Sequence, residues 1–261
     1  MPSIPDPYRK MPSKPTGAAL LALLLTAAVV IGLTVGRIHY LGPMEGFWDL
    51  LLVEAWGVLM TLCLVGLLML WLYGKGVRHV AVRRYHDEID AFRDWKSPEA
   101  AFRINGCIKQ LNREGVCVMD LSRCYLRNMY LSAADLSGAA LVRTDLQSAY
   151  LSKIVFRAAD LNGASLRRAF LWQADLQDAI LALADLRDAN LENAVLRGGF
   201  FQGARLDGAN LKGADLTGAR GLSAEQLAGV RTLFDATLDR EVAQQVRRKN
   251  EALFTEPETK K

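Results

Sequence analysis

From Leu121 to Leu216 a large apolar residue returns at every fifth position, twenty times without a miss: eighteen are Leu and the others are Phe156 and Phe201. Two residues before each hit stands a small one, most often Ala, as at Ala134, Ala139, Ala149, Ala159 and on to Ala214. The residue between them is often Asp or Asn, as at Asp135, Asp145, Asp160, Asp175, Asp185, Asn190, Asn210 and Asp215. A period of five is neither the 3.6 of a helix nor the 2 of a strand, and over twenty cycles a helix would smear the leucines around its circumference. Gly also recurs two residues after the large apolar position (Gly138, Gly163, Gly203, Gly208, Gly213, Gly218), where it suits a turn. What remains is a solenoid of short extended pieces and turns, in which each unit buries its apolar residue only by stacking on others.

The pattern Ala-Asp-Leu-x-x, seen in Ala174-Asp175-Leu176 and Ala214-Asp215-Leu216, resembles the pentapeptide-repeat family over about a hundred residues in one register. The resemblance implies an all-β solenoid, a right-handed quadrilateral β-helix in which four pentapeptides make one coil. By that resemblance the Leu and the preceding small residue point inward and the other three positions face solvent. Twenty units then give about five coils, roughly 24 Å tall at ~4.8 Å per coil. Phe201, with Gly199 at its small position, reads as volume compensation. Phe156, preceded by the bulky Ile154, predicts a local distortion. The first units, with Met119, Cys124 and Met129 at the small position, are degenerate as terminal repeats usually are.

Ahead of the repeats the chain reads as a membrane hairpin. Residues 1–16 are a proline-rich basic lead expected to be disordered. Gly17 to Gly36 is a run of twenty residues without a charge, and residues 55–74 are a second such run. Each matches the ~20 residues needed to cross ~30 Å of hydrocarbon. A secretory signal would have a shorter core of about 7–15 residues and a cleavage site. Two transmembrane α-helices are therefore expected within 17–74, turning at Gly42-Pro43, with Trp48, Trp56, Trp71 and Tyr73 as interfacial aromatics. Arg9, Lys10, Lys14, Lys75, Arg78, Arg83 and Arg84 flank the hairpin, against Arg37 alone between the spans. That asymmetry puts both termini and the repeats in the cytoplasm, the expected membrane being the bacterial cytoplasmic one. Ala28, Gly32 and Gly36 form a small-residue ridge suited to close helix–helix packing, either against the second span or in a homodimer.

Residues 75–118 read as juxtamembrane and capping helices. The basic residues at the start of this stretch either only set topology or also touch anionic headgroups. Ser97-Pro98 is a helix start signal, and Ala101, Ile104, Ile108 and Leu111 share a face suited to covering the open end of the solenoid. After the repeats at 119–220, a C-terminal helical cap is expected over 221–254. Its first helix opens with the capping box Ser223/Gln226 and runs toward Leu233-Phe234; Asp239 caps a second that runs through Val242 and Val246 to Leu253-Phe254. The tail at 255–261 is polar.

The sequence carries no catalytic constellation. His39, His79 and His86 belong to no H-E-x-x-H arrangement, and there is no phosphate-binding loop, dinucleotide fingerprint or nucleophile elbow. No enzyme, cofactor or metal is expected, and Cys63, Cys107, Cys117 and Cys124 have no metal-site spacing and read as unpaired thiols. The regular Asp residues read as partners of nearby backbone groups or of Arg neighbours. Between 119 and 220 there are eleven acids and twelve Arg or Lys, a net of +1. That balance argues against nucleic-acid binding and against the anionic rod of a DNA mimic, the role through which some proteins of this family protect topoisomerases. The reading is a non-enzymatic, membrane-anchored scaffold with the lipid bilayer and an unidentified protein as partners. Twenty residues per coil stack Tyr130, Tyr150, Phe170, Asn190 and Asn210 in one outward column, with Trp172 on the same face. The adjacent face carries Arg127, Arg167, Arg168 and Arg187. This aromatic face is either a partner site with a charged rim or a ladder that holds the coils together.

Overall fold

The computed structural model describes residues 47–256, with side chains described at 55–69, at 71 and from 78 onward. The basic lead, the first expected span with Ala28, Gly32 and Gly36, and the connection as far as residue 46 lie outside the described residues, whereas 47–54, expected as connection, are helical. The chain divides into two units, Met1–His79 and Val80–Lys261.

In the first unit the described backbone is the start of helix α1, Phe47–Ala91. Around its axis from 55 to 69 it is apolar on all sides, with Trp56, Val58, Leu59, Leu62, Leu67 and Met69 exposed. Among the described residues no helix is long and apolar enough to cross a membrane, so the second span expected over 55–74 is not found as one.

The second unit is built on the five-residue period. Every bridge from Asp120↔Ala140 to Phe200↔Arg220 is parallel and pairs residues twenty apart. Bridges start at 120, 125, 130 and 135 before the register repeats at 140, so each coil has four sides. The backbone closes each corner with a turn, as where the Cys124 N–H donates to the Leu121 carbonyl at 3.1 Å. The third residue of each turn has φ near +60°, as at Asn128 (61°) and Gly213 (64°), the requirement of a type II turn. Coil joins coil through N–H groups that point alternately up and down, as in Leu141 to Asp160 O at 2.7 Å and Ala140 to Met119 O at 3.0 Å.

The core follows directly. All twenty residues at the large apolar position are buried, and so are Ala139, Ala149, Ala159 and most others at the small position. Full burial of one such Leu is worth about 1.5–3 kcal/mol. At Gly199 an added Cβ would lie 2.9 Å from Phe201 Cε2, so the missing side chain makes room for the larger ring. The distortion expected at Phe156 does not occur. The ladder Asp135↔Val155↔Asp175 runs through it unbroken, with Ile154 and Phe156 fully buried. In the twenty-residue register Ile154 lies between Ala134 and Ala174, whose small side chains leave it space.

Both ends are closed. Helix α2, Pro98–Arg113, starts where Ser97 accepts from the Ala100 N–H, and buries Ala101, Ile104, Ile108 and Leu111 with Ala100, Asn105 and Cys107. Ile89 from α1 joins the same cluster. At the far end the capping box of Ser223 and Gln226 forms, but its helix α3 is only Ala224–Ala228 and does not reach Leu233. The chain instead re-enters the ladder, Asn210↔Thr232 and Asp215↔Thr237, now with residues twenty-two apart. Leu233 is buried and Asp235 takes φ 56°, so Leu233-Phe234-Asp235-Ala236-Thr237 is a further unit behind a helical insertion. Helix α4, Arg240–Lys249, follows, and then a 3-10 turn, Glu251–Phe254. Asp239 holds the N-cap position of α4 without capping it; its carboxylate accepts from the Gly218 N–H at 3.1 Å.

Candidate interaction surface

Because backbone bridges fix each outward position directly above its counterpart twenty residues earlier, surface side chains stand in columns. The column just before the Leu is where Asp and Asn do local work. Oδ1 of Asp120, Asp135, Asp145, Asp160, Asp175, Asp185 and Asp215 accepts from the N–H two residues on, at 2.9–3.2 Å across the array. Asn190 and Asn210 do the same. This pins the turn, since a short polar side chain replaces a backbone acceptor there. The second carboxylate oxygen is left for arginine: Arg127 to Asp145 at 3.3 Å, Arg157 to Asp175 at 2.5 Å, Arg197 to Asp215 at 3.7 Å. Arg187 grips Asp185 with two bonds, at 2.8 and 2.6 Å. That grip holds the Asp185 carboxyl below its ordinary range, against the opposing effect of burial. These carboxylates are thus engaged in turns and ion pairs.

On another side the column Tyr130, Tyr150, Phe170 forms a stack. Ring centroids are 4.3 Å apart for the tyrosines and 5.0 Å apart for Tyr150 and Phe170, with the planes within 6°. The column ends in amides, with Asn210 Nδ2 donating to Asn190 Oδ1 at 3.0 Å. Tyr130 is 62% exposed, Phe170 43% and Trp172 37%, so the ring edges form a continuous aromatic surface. Lys153 Nζ lies 5.3 Å from the Trp172 ring centroid, a cation–π contact that sequence reading missed. Its signal was the register, since residues nineteen apart are diagonal neighbours.

The arginines expected as a rim are each placed against carboxylates of their own chain. Besides Arg127 and Arg187, Arg167 and Arg168 both approach Asp188, at 3.8 and 3.9 Å. Arg127 also lies 5.9 Å from the centroid of the Tyr125 ring. The four cysteines are free, and burial pushes the thiols of Cys107 and Cys124 up to about 12, far from nucleophilic. Among the described residues no group of three or more His, Cys, Asp or Glu gathers as a metal site.

The family model described as pentapeptide repeats matches residues 120–157, 155–193 and 184–220. Residues 120–220 are an array of pentapeptide repeats. The family match and the parallel register of twenty together make this array a right-handed, four-sided β-helix. Among solved structures, the array is similar to Rfr23, a pentapeptide repeat protein from the cyanobacterium Cyanothece 51142. The two are 31% identical over 46% of this chain and 65% of that one, with a TM-score of 0.26. The match therefore spans less than two thirds of Rfr23. A pentapeptide repeat protein from the Arabidopsis thaliana thylakoid lumen is 28% identical, over 47% of this chain and 77% of that one, with a TM-score of 0.26. QnrB1, a plasmid-mediated fluoroquinolone resistance protein, is 19% identical, over 50% of this chain and 75% of that one, with a TM-score of 0.34. A comparison with curated proteins finds no match.

Proposed function

We propose that this chain is a non-enzymatic scaffold, anchored in a membrane by its N-terminal helices, that presents a pentapeptide-repeat array in the cytoplasm to a protein partner. The observation that carries the reading is the exposed aromatic stack of Tyr130, Tyr150 and Phe170 with Trp172, held on a backbone bridged coil to coil. Aromatic side chains fixed in advance lose little freedom on binding, and they are the usual energetic anchors of protein contacts. The ion pairs of Arg127, Arg167 and Arg187 give this surface a charged but balanced border. Anchoring rests on the two twenty-residue uncharged runs, 17–36 and 55–74, each of the length that crosses hydrocarbon. Partners are thus the bilayer and a protein, with no cofactor. A DNA-mimic role needs a strongly anionic rod, and the array has a net charge of +1.

The test replaces Tyr150, Phe170 and Trp172 together with Ser in the full-length protein and captures partners from the native membrane. Loss of stacking costs each pair about 0.5–1.5 kcal/mol, so Ile154→Val, at about 0.5–1.5 kcal/mol, serves as a destabilised control away from the face. The expected result is a folded triple variant that loses a partner the control retains. Retention of that partner by both variants makes the stack purely structural and overturns the reading.

A further inference from the structure

We propose that a different side of the array, built on Asp160, Ile180, Phe200 and Arg220, is a self-association surface on which a second copy of this chain docks. The proposal stands apart from membrane anchoring and from the aromatic face.

The four residues form one ladder column, Asp160↔Ile180↔Phe200↔Arg220, joined by consecutive parallel bridges. Read along the solenoid axis, the column runs acid, apolar, apolar, base. That order is self-complementary when reversed. A two-fold axis lying in the interface, perpendicular to the column and midway between Ile180 and Phe200, sets Ile180 of one copy on Phe200 of the other. The same operation sets Asp160 against Arg220 at both ends. Closed two-fold contacts use one patch twice in this way. Three coil steps, about 14 Å at ~4.8 Å each, separate the charged ends, and the repeat makes that spacing identical in both copies.

Three further observations fit a flat occupant. The first is shape: Ala182 flanks Ile180 on one side and Gly198 flanks Phe200 on the other, while Asp178 and Gln202 complete the two flanking columns. The second is charge: among the described residues neither Asp160 nor Arg220 makes an ion pair within its own chain, although Asp145, Asp175, Asp185 and Asp215 in equivalent positions do. Both groups are nevertheless held in place. Asp160 Oδ1 accepts from the Asn162 N–H at 3.0 Å, which leaves its other oxygen outward, and Arg220 reaches back to the Gly198 carbonyl at 3.4 Å. The third is Leu183, at the corner of this side. It is 66% exposed and held at φ 58°, an unfavourable conformation for a bulky side chain, and it extends the apolar patch beside the 40%-exposed Ile180. Its side chain lies across Gly203, where an added Cβ would come within 2.8 Å of Leu183 Cδ2.

The experiment is a charge swap read by sedimentation velocity on the full-length protein in a mild detergent, over a range of protein concentrations. The position before the Leu already carries Arg at 205 and Asp at many others, so Asp160→Arg and Arg220→Asp place residues the array tolerates. Unchanged thermal melts confirm that each variant is folded. The wild type is expected to dimerise, and each single swap, which faces like charges across the two-fold, to raise the dissociation constant tenfold or more. The double swap, Asp160→Arg with Arg220→Asp, restores opposite charges and is expected to return within threefold of wild type. Phe200→Ser is expected to weaken the dimer as the single swaps do. A monomeric wild type, a dimer indifferent to the single swaps (as one held through α1 would be), or a double swap that fails to restore association overturns the proposal. None of these results touches whether the chain is membrane-anchored.

Discussion

Gly199 shows how little slack one position of this array has. Its neighbours at the small position are Ala, and Ala fits them because the residue two later is Leu. Here it is Phe201, and an added methyl at 199 would sit 2.9 Å from Cε2 of the ring and 3.1 Å from the Leu196 carbonyl oxygen. Gly199→Ala should therefore destabilise the protein by about 1–3 kcal/mol through overpacking. The double change Gly199→Ala with Phe201→Leu recreates the Ala/Leu pair used elsewhere and should recover most of that loss. Urea unfolding of the two single variants and the double variant measures the coupling. Additive losses would mean that Gly199 serves backbone freedom and not ring volume. Ile154 and Phe156 make the converse point. Volume is matched between coils as well as along one unit, so a bulky small-position residue is accepted where its column neighbours are alanines.

At the scale of elements, the ends of the solenoid are closed by side chains that imitate the ladder. Asn112, on α2, donates from Nδ2 to the Asp135 carbonyl at 2.7 Å and accepts at Oδ1 from the Asp135 N–H at 2.8 Å. Its amide thus stands in for the peptide of a missing coil. Arg93 likewise donates to the Ser122 and Asp120 carbonyls, at 2.7 and 3.2 Å. At the other end Gln226 Nε2 donates to the carbonyls of Phe201 and Ala204, at 3.0 and 2.8 Å. Asn112→Ala leaves one donor and one acceptor at the first coil to water, and should cost about 1–3 kcal/mol at two bonds of roughly 0.5–1.5 kcal/mol each. Faster amide exchange is expected to concentrate at Asp135 and its neighbours, with Asp215 at the far end unaffected. Hydrogen exchange read residue by residue checks this. Exchange that rises evenly through the array would mean that the amide contributes only to global stability.

For the whole molecule, the proposal of an anchored array makes a claim about sides. Seven Lys or Arg residues flank the two uncharged runs, against Arg37 alone between them. Reporter fusions after Lys14 and after Thr255 should therefore both report cytoplasm, and one at Gly42 the opposite side. A non-cytoplasmic report at Thr255 would remove the cytoplasmic scaffold while leaving the β-helix and its two surfaces intact. The faces divide labour in this picture. One displays aromatic edges, one a paired Arg/Asp lattice, and one the Asp160–Arg220 column, and all three are set by a single register.

That register was legible in the amino-acid sequence alone. A five-residue period repeated twenty times states which side chains go inward, where each turn falls and which residues share a column, because every unit meets the same stacking constraint. The helix at Ser97-Pro98 was legible too, since its capping signals are local. The chain after Arg220 was not. A capping box opens a helix but does not say where it stops, and the unit at Leu233–Thr237 is masked by a two-residue offset that breaks the period. Only stacking on Asn210 and Asp215 makes it a strand piece, and only the nearness of Gly218 draws Asp239 from its helix to a turn in the preceding coil. The arginines behave alike: their columns follow from sequence, but their pairing with Asp145, Asp185 and Asp188 depends on distances between coils. Local repetition fixes the backbone, whereas the caps and charge pairs rest on single contacts between residues distant in sequence, which tertiary structure alone brings together.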